Sequence, residues 1–250
     1  QYIAENTKLM TNLQTVAESL ATKCQGRAWI IVTAQEDMNS VLGDMNKQQS
    51  NDFSKIQARF ANRLKLTSAD VAEVIQKRLL TKNKIGTELL ATTYDQQLNN
   101  FKTLFEFADG GQQYTNFRDA EHFTYCYPFV PYQFPLFQAA IRGISLHNGF
   151  EGKANSVGER SMLGVFREVA IAIDQEPVGQ LATFDRMFEG IRGALKSAIQ
   201  SAINNAERHL GVPYAVRVLK ALFLVKYVKE FKTTLRNLSV LMLERFGDDL

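Results

Sequence analysis

The residues of this sequence whose types and spacing could do chemistry are a few arginines, two polar residues after an apolar run and a short series of bases. Arg160 follows Ser156 and Glu159, which read as a capping box, so it falls in the first turn of the helix they open. The unpaired amides of such a turn attract anions and a guanidinium beside them adds a second attraction, so the fitting ligand is a phosphate. The competing reading is an exposed arginine that pairs with Glu159. Arg59 and Arg63 flank Phe60, four residues apart and able to share one helical face. An arginine at a subunit edge can reach a neighbour's phosphate and stabilise transition-state charge, although spacing alone favours an ordinary solvated pair. Thr33 and Gln35 follow a continuous apolar run, at the carboxyl end of the strand that run predicts, where open α/β sheets place ligand contacts. Lys229, Lys232 and Arg236, at spacings of three and four, permit one basic stripe against nucleic-acid phosphates, with a solvated helix surface as the commoner alternative.

Other chemistries lack their residues. The chain has no GxxxxGKS/T loop to cradle phosphates. His122, His147 and His209 stand outside any catalytic motif, and no Ser-His-Asp set is recognisable. Cys24 and Cys126 are far apart without CxxC spacing, which suits a reducing cytoplasm; His122 four residues before Cys126 is at most half a metal site. The formal charge of +3, from 29 basic and 26 acidic residues, is too mild to mark a nucleic-acid binder. From Arg208 onward, however, Arg217, Lys220, Lys226, Lys229, Lys232, Arg236 and Arg245 face only Glu230 and Glu244 before the terminal aspartates. No apolar run approaches the roughly 20 residues of a membrane-spanning helix.

These residues need elements to position them. Leu9, Leu13, Val16, Ala17 and Leu20 predict a helix ending near Lys23 to Gly26, and Ala28 to Val32 a strand buried on both faces in a parallel sheet. Phe53, Ile56 and Phe60 recur at helical intervals, and Leu64 to Leu66 suggests an edge strand. Thr67 to Asp70 opens a helix whose core face is Val71, Val74, Ile75 and Leu79. A helix through Leu89 and Phe105 should stop at Gly110-Gly111, and the aromatics from Tyr114 to Phe137 read first as core or interface. Beyond a loop over 145–157, the helix at Arg160 should bury Met162, Leu163, Phe166, Ala170 and Ile173. One long helix over 183–208 and two more, 213–228 and 233–245, complete a helical C-terminal half. The opening QYIAENTKLM has neither a Met start nor a signal-peptide layout, so the chain is expected to be cut from a longer protein.

The strings QYIAENTKLMTNLQTVAESL, GRAWIIVTAQEDM, DFSKIQARFANRLKLTSADVAEVIQKRLL, YPFVPYQFPLFQAAI and GERSMLGVFREV resemble the large P-loop ATPases of BREX phage-defence systems, the BrxC/PglY type, over most of the chain. The resemblance implies a mainly α fold with a small parallel β remnant, the C-terminal part of an AAA+-like ATPase core followed by a helical lid and a winged-helix-like region. It divides the chain into a core remnant at 1–90, a lid with an aromatic-rich insertion at 91–180 and a helical C-terminal region at 181–250. Both Walker motifs would lie upstream. In that family's pattern the strand ending at Thr33 and Gln35 is similar to sensor 1, Arg59 (or Arg63) stands where an arginine finger is found, and Arg160 resembles the sensor-2 arginine. The implied cofactors, ATP and Mg²⁺, would belong to the parent protein, with the isolated fragment inactive. Implied partners are further copies of the chain, other BREX components and double-stranded DNA. A non-catalytic DNA-binding or scaffold module using the basic C-terminal helices is the alternative.

Overall fold

The structure, a computed structural model, describes residues 7–25, 27–32, 60, 62, 64, 68–108, 114–151 and 159–246. The chain divides into two compact units, Gln1–Lys65 and Leu66–Leu250. Both boundaries expected from the sequence, near 90 and near 180, therefore fall inside the second unit.

In the first unit, α1 runs over Thr7–Lys23 as its apolar spacing predicts. It ends at Lys23, within the expected range: the Cys24 amide donates to the Leu20 carbonyl at 3.0 Å and Gln25 takes the left-handed conformation with φ 48°. The run that follows corrects the sequence reading. Residues 27–32 form no ladder, and Trp29 and Ile31 are each 88% exposed. An extended segment becomes a buried strand only when neighbours pair its amides and cover its faces, and none does so among the described residues. Leu64 is likewise exposed and unpaired as a strand, whereas Lys65 and Leu66 lie outside the described residues, as do Phe53 and Ile56.

The second unit is helical. It comprises α2 (Ser68–Val74), running into a π-helical turn at Ile75–Leu79, then α3 (Lys84–Leu104), α4 (Ala120–Cys126), α5 (Gln133–Leu146) and α6 (Glu159–Ala172). A 3-10 turn at Phe184–Arg186 leads into α7 (Met187–Arg192), α8 (Ser197–His209), α9 (Pro213–Val225) and α10 (Leu235–Met242). Among the described residues there is no strand. β pairing is confined to the bridges Phe150–Leu195 and Gln180–Arg245, so no hairpin that could form a wing occurs there. Nor is any described helix long and apolar enough to cross a membrane.

Local chemistry sets these boundaries. Asn83 caps α3 by accepting from the Gly86 amide at 2.7 Å, Asp119 caps α4 through the His122 amide, and Pro213 opens α9. The π turn shifts the predicted face of α2: Leu80 donates its amide to the Ile75 carbonyl, five residues back, and Ile75 and Leu80 are buried while Val74 is exposed. Helix α3 stops at Leu104, well before Gly110-Gly111, which lie outside the described residues. The single helix expected over 183–208 is broken at Gly193 to Lys196, where Leu195 turns inward to bridge Phe150. On α6, Met162, Phe166 and Ile173 are buried as predicted, but Leu163 faces out and Val165 and Val169 take the interior.

One continuous core explains why the second unit does not split. Phe101 of α3 has the rings of Tyr94, Phe117, Phe123 and Phe246 at 5.1–5.3 Å, so residues 145 positions apart share one aromatic cluster. Phe166 stacks on Phe134 at 4.7 Å and 4° and packs against Phe129. Three buried side chains, Tyr132, Gln133 and Asn237, pair their polar groups across the same span. Tyr132 donates to the Val240 carbonyl at 3.1 Å and Gln133 to the Ala182 carbonyl at 2.6 Å. Asn237 accepts from the Ala108 amide and donates to the carbonyls of Ala108 and Lys232.

Candidate functional site

The residues singled out by sequence fare differently. Thr33, Gln35, Arg59 and Arg63 lie outside the described residues. Arg160 is in the first turn of α6, which begins at Glu159. The basic trio is not a helical stripe. Lys229 sits in a turn, Lys232 in the irregular chain before α10 and Arg236 in the first turn of α10, because α9 ends at Val225. Lys229 and Lys232 are exposed, whereas Arg236 donates to the Thr103 carbonyl at 2.5 Å and so ties α10 to the end of α3.

The strongest concentration of charge lies elsewhere, on the inner face of α9. Arg217 and Lys220, one turn apart, each bind two carboxylates from other elements. Arg217 grips Asp185 through Nε at 3.0 Å and Nη2 at 3.4 Å, donates to Thr183 Oγ1 at 3.1 Å and pairs with Glu244 through Nη1. Lys220 Nζ stands 2.6 Å from Glu189 and 2.7 Å from Glu207. Arg192 meets the same two glutamates at 2.9 and 2.6 Å and lies over the Phe188 ring.

Protonation follows this geometry. Burial works against the charges of Arg217 and Lys220, but the hydrogen bonds they donate to their paired carboxylates outweigh it and hold both cations above their ordinary pKa values. The hydrogen bond from Arg192, then that from Lys220, holds the Glu207 carboxyl below its ordinary value. His122 and Cys126 are occupied structurally: His122 Nδ1 accepts from the Arg118 amide, and the buried Cys126 Sγ accepts from Gln76 at 3.3 Å. Burial pushes the Cys126 thiol up to about 12, so it is no nucleophile at neutral pH. Among the described residues no group of three His, Cys, Asp or Glu side chains is placed to hold a metal ion.

Between α6, the 3-10 turn, α7 and α9 lies a cleft of about 290 Å³. Val169 and Ala172 of α6 form its apolar wall, with Glu168 at the rim. Gly190 lets α7 approach closely: a Cβ there would stand 2.6 Å from a Val165 methyl. Arg186, Arg217 and Lys220 supply the cations. The side chain of Arg186 has no ion pair among the described residues, and its Nε is buried with no hydrogen-bond partner. Sequence reasoning missed this arginine; its signal was a lone Asp185-Arg186 charge pair inside an otherwise apolar stretch, Leu181 to Phe188. Arg217 and Lys220 were visible only as part of the basic surplus, since three of their four partners, Asp185, Glu189 and Glu207, precede it in the chain. Asp185 and Glu189 line the cleft together with Glu168, so its acids match its bases in number, and it contains no nucleophile paired with a base. No protein-family model matches this chain, and no solved structure matches it.

Proposed function

We propose that this chain is the nucleotide-sensing part of a P-loop ATPase of the BREX phage-defence type, a cytoplasmic, oligomeric protein that couples nucleotide state to remodelling of DNA or a partner protein. The observation that carries the reading is the exposure of Trp29 and Ile31. A β-rich apolar run with no ladder of its own is the surface that a parallel sheet supplied by the rest of a larger protein would cover, at about 25 cal/mol per Å² of apolar area buried. The position of Arg160 in the first turn of α6 adds support, since an anion there gains from the helix amides as well as from the side chain.

The glycine-rich lysine loop that cradles a triphosphate is lacking from the sequence, and no metal-ligating cluster occurs among the described residues. ATP and Mg²⁺ accordingly belong, in this proposal, to upstream residues. Arg160, Thr33 and Gln35 would contact nucleotide from this chain, and Arg59 would reach it from a neighbouring subunit.

Trp29 is the sole tryptophan of the chain, so its fluorescence reads the central claim directly. Its emission should shift to the blue when the chain is extended upstream into the parent protein, and Arg160→Ala in that protein should abolish most ATP hydrolysis while leaving DNA affinity intact. Unchanged Trp29 emission in the longer protein, or full hydrolysis by the variant, would reject the assignment. A DNA-binding module without catalysis is favoured by one observation, the exposure of Lys229 and Lys232. Salt-dependent binding of duplex DNA that disappears in Lys229→Glu/Lys232→Glu would select it.

A further inference from the structure

We infer that Arg186 is the anchor of a small oxyanion site in the cleft between α6, α7 and α9. The inference stands on the second unit alone and goes beyond the ATPase reading. Each cation around the cleft except Arg186 already holds two carboxylates: Arg217 has Asp185 and Glu244, and Lys220 has Glu189 and Glu207. The same pairings occupy the acids nearest Arg186, because the adjacent Asp185 is gripped by Arg217 and Glu189 is shared by Lys220 and Arg192. Arg186 is thus a cation without an ion pair among the described residues, although Glu168, likewise without one there, lines the same cleft, and its Nε–H is withdrawn from water without an acceptor.

An oxyanion set against the Nη groups of the guanidinium would meet a cation that has no ion pair among the described residues, and carboxylate and phosphate oxygens match that fork in pairs. The cleft favours this physically. Val169 and Ala172 form an apolar wall, and the volume of about 290 Å³ admits a small anion or the charged end of a larger molecule. Glu168, at the rim and without an ion pair among the described residues, opposes an incoming anion and makes the site selective for one that binds Arg186 closely.

The test is a titration of the full chain with inorganic phosphate and, separately, with acetate, at constant ionic strength and without nucleotide, followed by calorimetry and by the unfolding temperature. A saturable response to at least one anion is expected. Phosphate alone would identify a phosphate group as the ligand, and acetate with equal effect a carboxylate. Arg186→Gln should weaken binding by about tenfold or more, Glu168→Gln should tighten it several-fold, and Arg208→Gln, on an exposed face of α8, should leave it unchanged. Should Arg186→Gln fail to fold, Arg186→Lys keeps the charge, loses the fork and is expected to bind several-fold more weakly. No saturable response to either anion, or an equal response after replacement of Arg186, overturns the inference. Because neither Trp29 nor ATP enters the measurement, failure here leaves the ATPase reading standing, and the reverse also holds.

Discussion

Helix α9 and the segment just after it carry the same kind of basic residue and put it to opposite uses. Arg217 and Lys220 turn inward, where Asp185, Glu189, Glu207 and Glu244 take up their charge. Lys229 and Lys232, a few residues later, stand in solvent. A window along the chain records both pairs as surplus, although three of the four neutralising acids lie before that window. Charge counted in one dimension therefore overstates the cationic surface, and only the second region remains free to meet a polyanion.

Replacing Arg217 tests that contrast most severely. In Arg217→Met the carboxylate of Asp185, whose side chain is 5% exposed, is left buried without its counter-ion, and a loss of about 3 kcal/mol is expected from urea unfolding. Adding Asp185→Leu should restore much of it, because a buried pair is replaced by apolar volume. A cost below about 1 kcal/mol for the single change would place Arg217 with the exposed lysines and dissolve the distinction.

The junction between the two regions is next. Tyr227 lies against Gly143 of α5, where a Cβ would fall 2.6 Å from the Tyr227 carbonyl oxygen. Gly143→Ala should cost about 1–3 kcal/mol in the same assay, whereas a neutral result would show that the chain after α9 is loosely seated.

A pH series sharpens the inner side of the contrast. A carboxyl held below its ordinary pKa stabilises the fold above its unfolded value, about 4.3 for glutamate, and that contribution disappears as the pH falls through the folded value. Glu207→Gln should therefore lower stability by about 1 kcal/mol near pH 7, and its deficit should shrink towards zero as thermal melts are taken below about pH 4. A deficit independent of pH would mean that Glu207 contributes packing and not charge. The smallest effect belongs to the outer region, where Lys229→Glu/Lys232→Glu should alter stability by less than about 0.5 kcal/mol. A larger loss on calorimetry would reveal acidic partners for these lysines.

Helix positions were the most legible part of the sequence, since a helix satisfies its own backbone and advertises its buried face locally. The span of α1 and the start of α9 follow from apolar spacing and Pro213, and the aromatics over 114–137, apart from the exposed Tyr125, pack in or against the core as their composition suggests. What depends on distant partners was not legible. The run at Ala28 to Val32 has the composition of a strand, but a ladder needs a second strand and none of the described residues provides it. The break at Gly193 to Lys196 follows from the pull of Phe150 on Leu195, some 45 residues away, and the π turn from where Leu80 must land. The candidate cleft was hidden for the same reason. Arg186 is distinctive only because Arg217 and Lys220, arriving from α9, have already claimed two of the acids around it, Asp185 and Glu189.

The position of Phe246 among the rings of Phe101 and Phe123 bears on how the protein is made. A ribosome delivers α3 and α4 some 120 residues before it delivers Phe246, so the nascent chain must carry an open aromatic socket over that interval. Such a socket is sticky, and it closes only when the late-arriving ring drops in. Chaperone capture of the growing chain should accordingly be strongest between the emergence of α4 and that of Phe246.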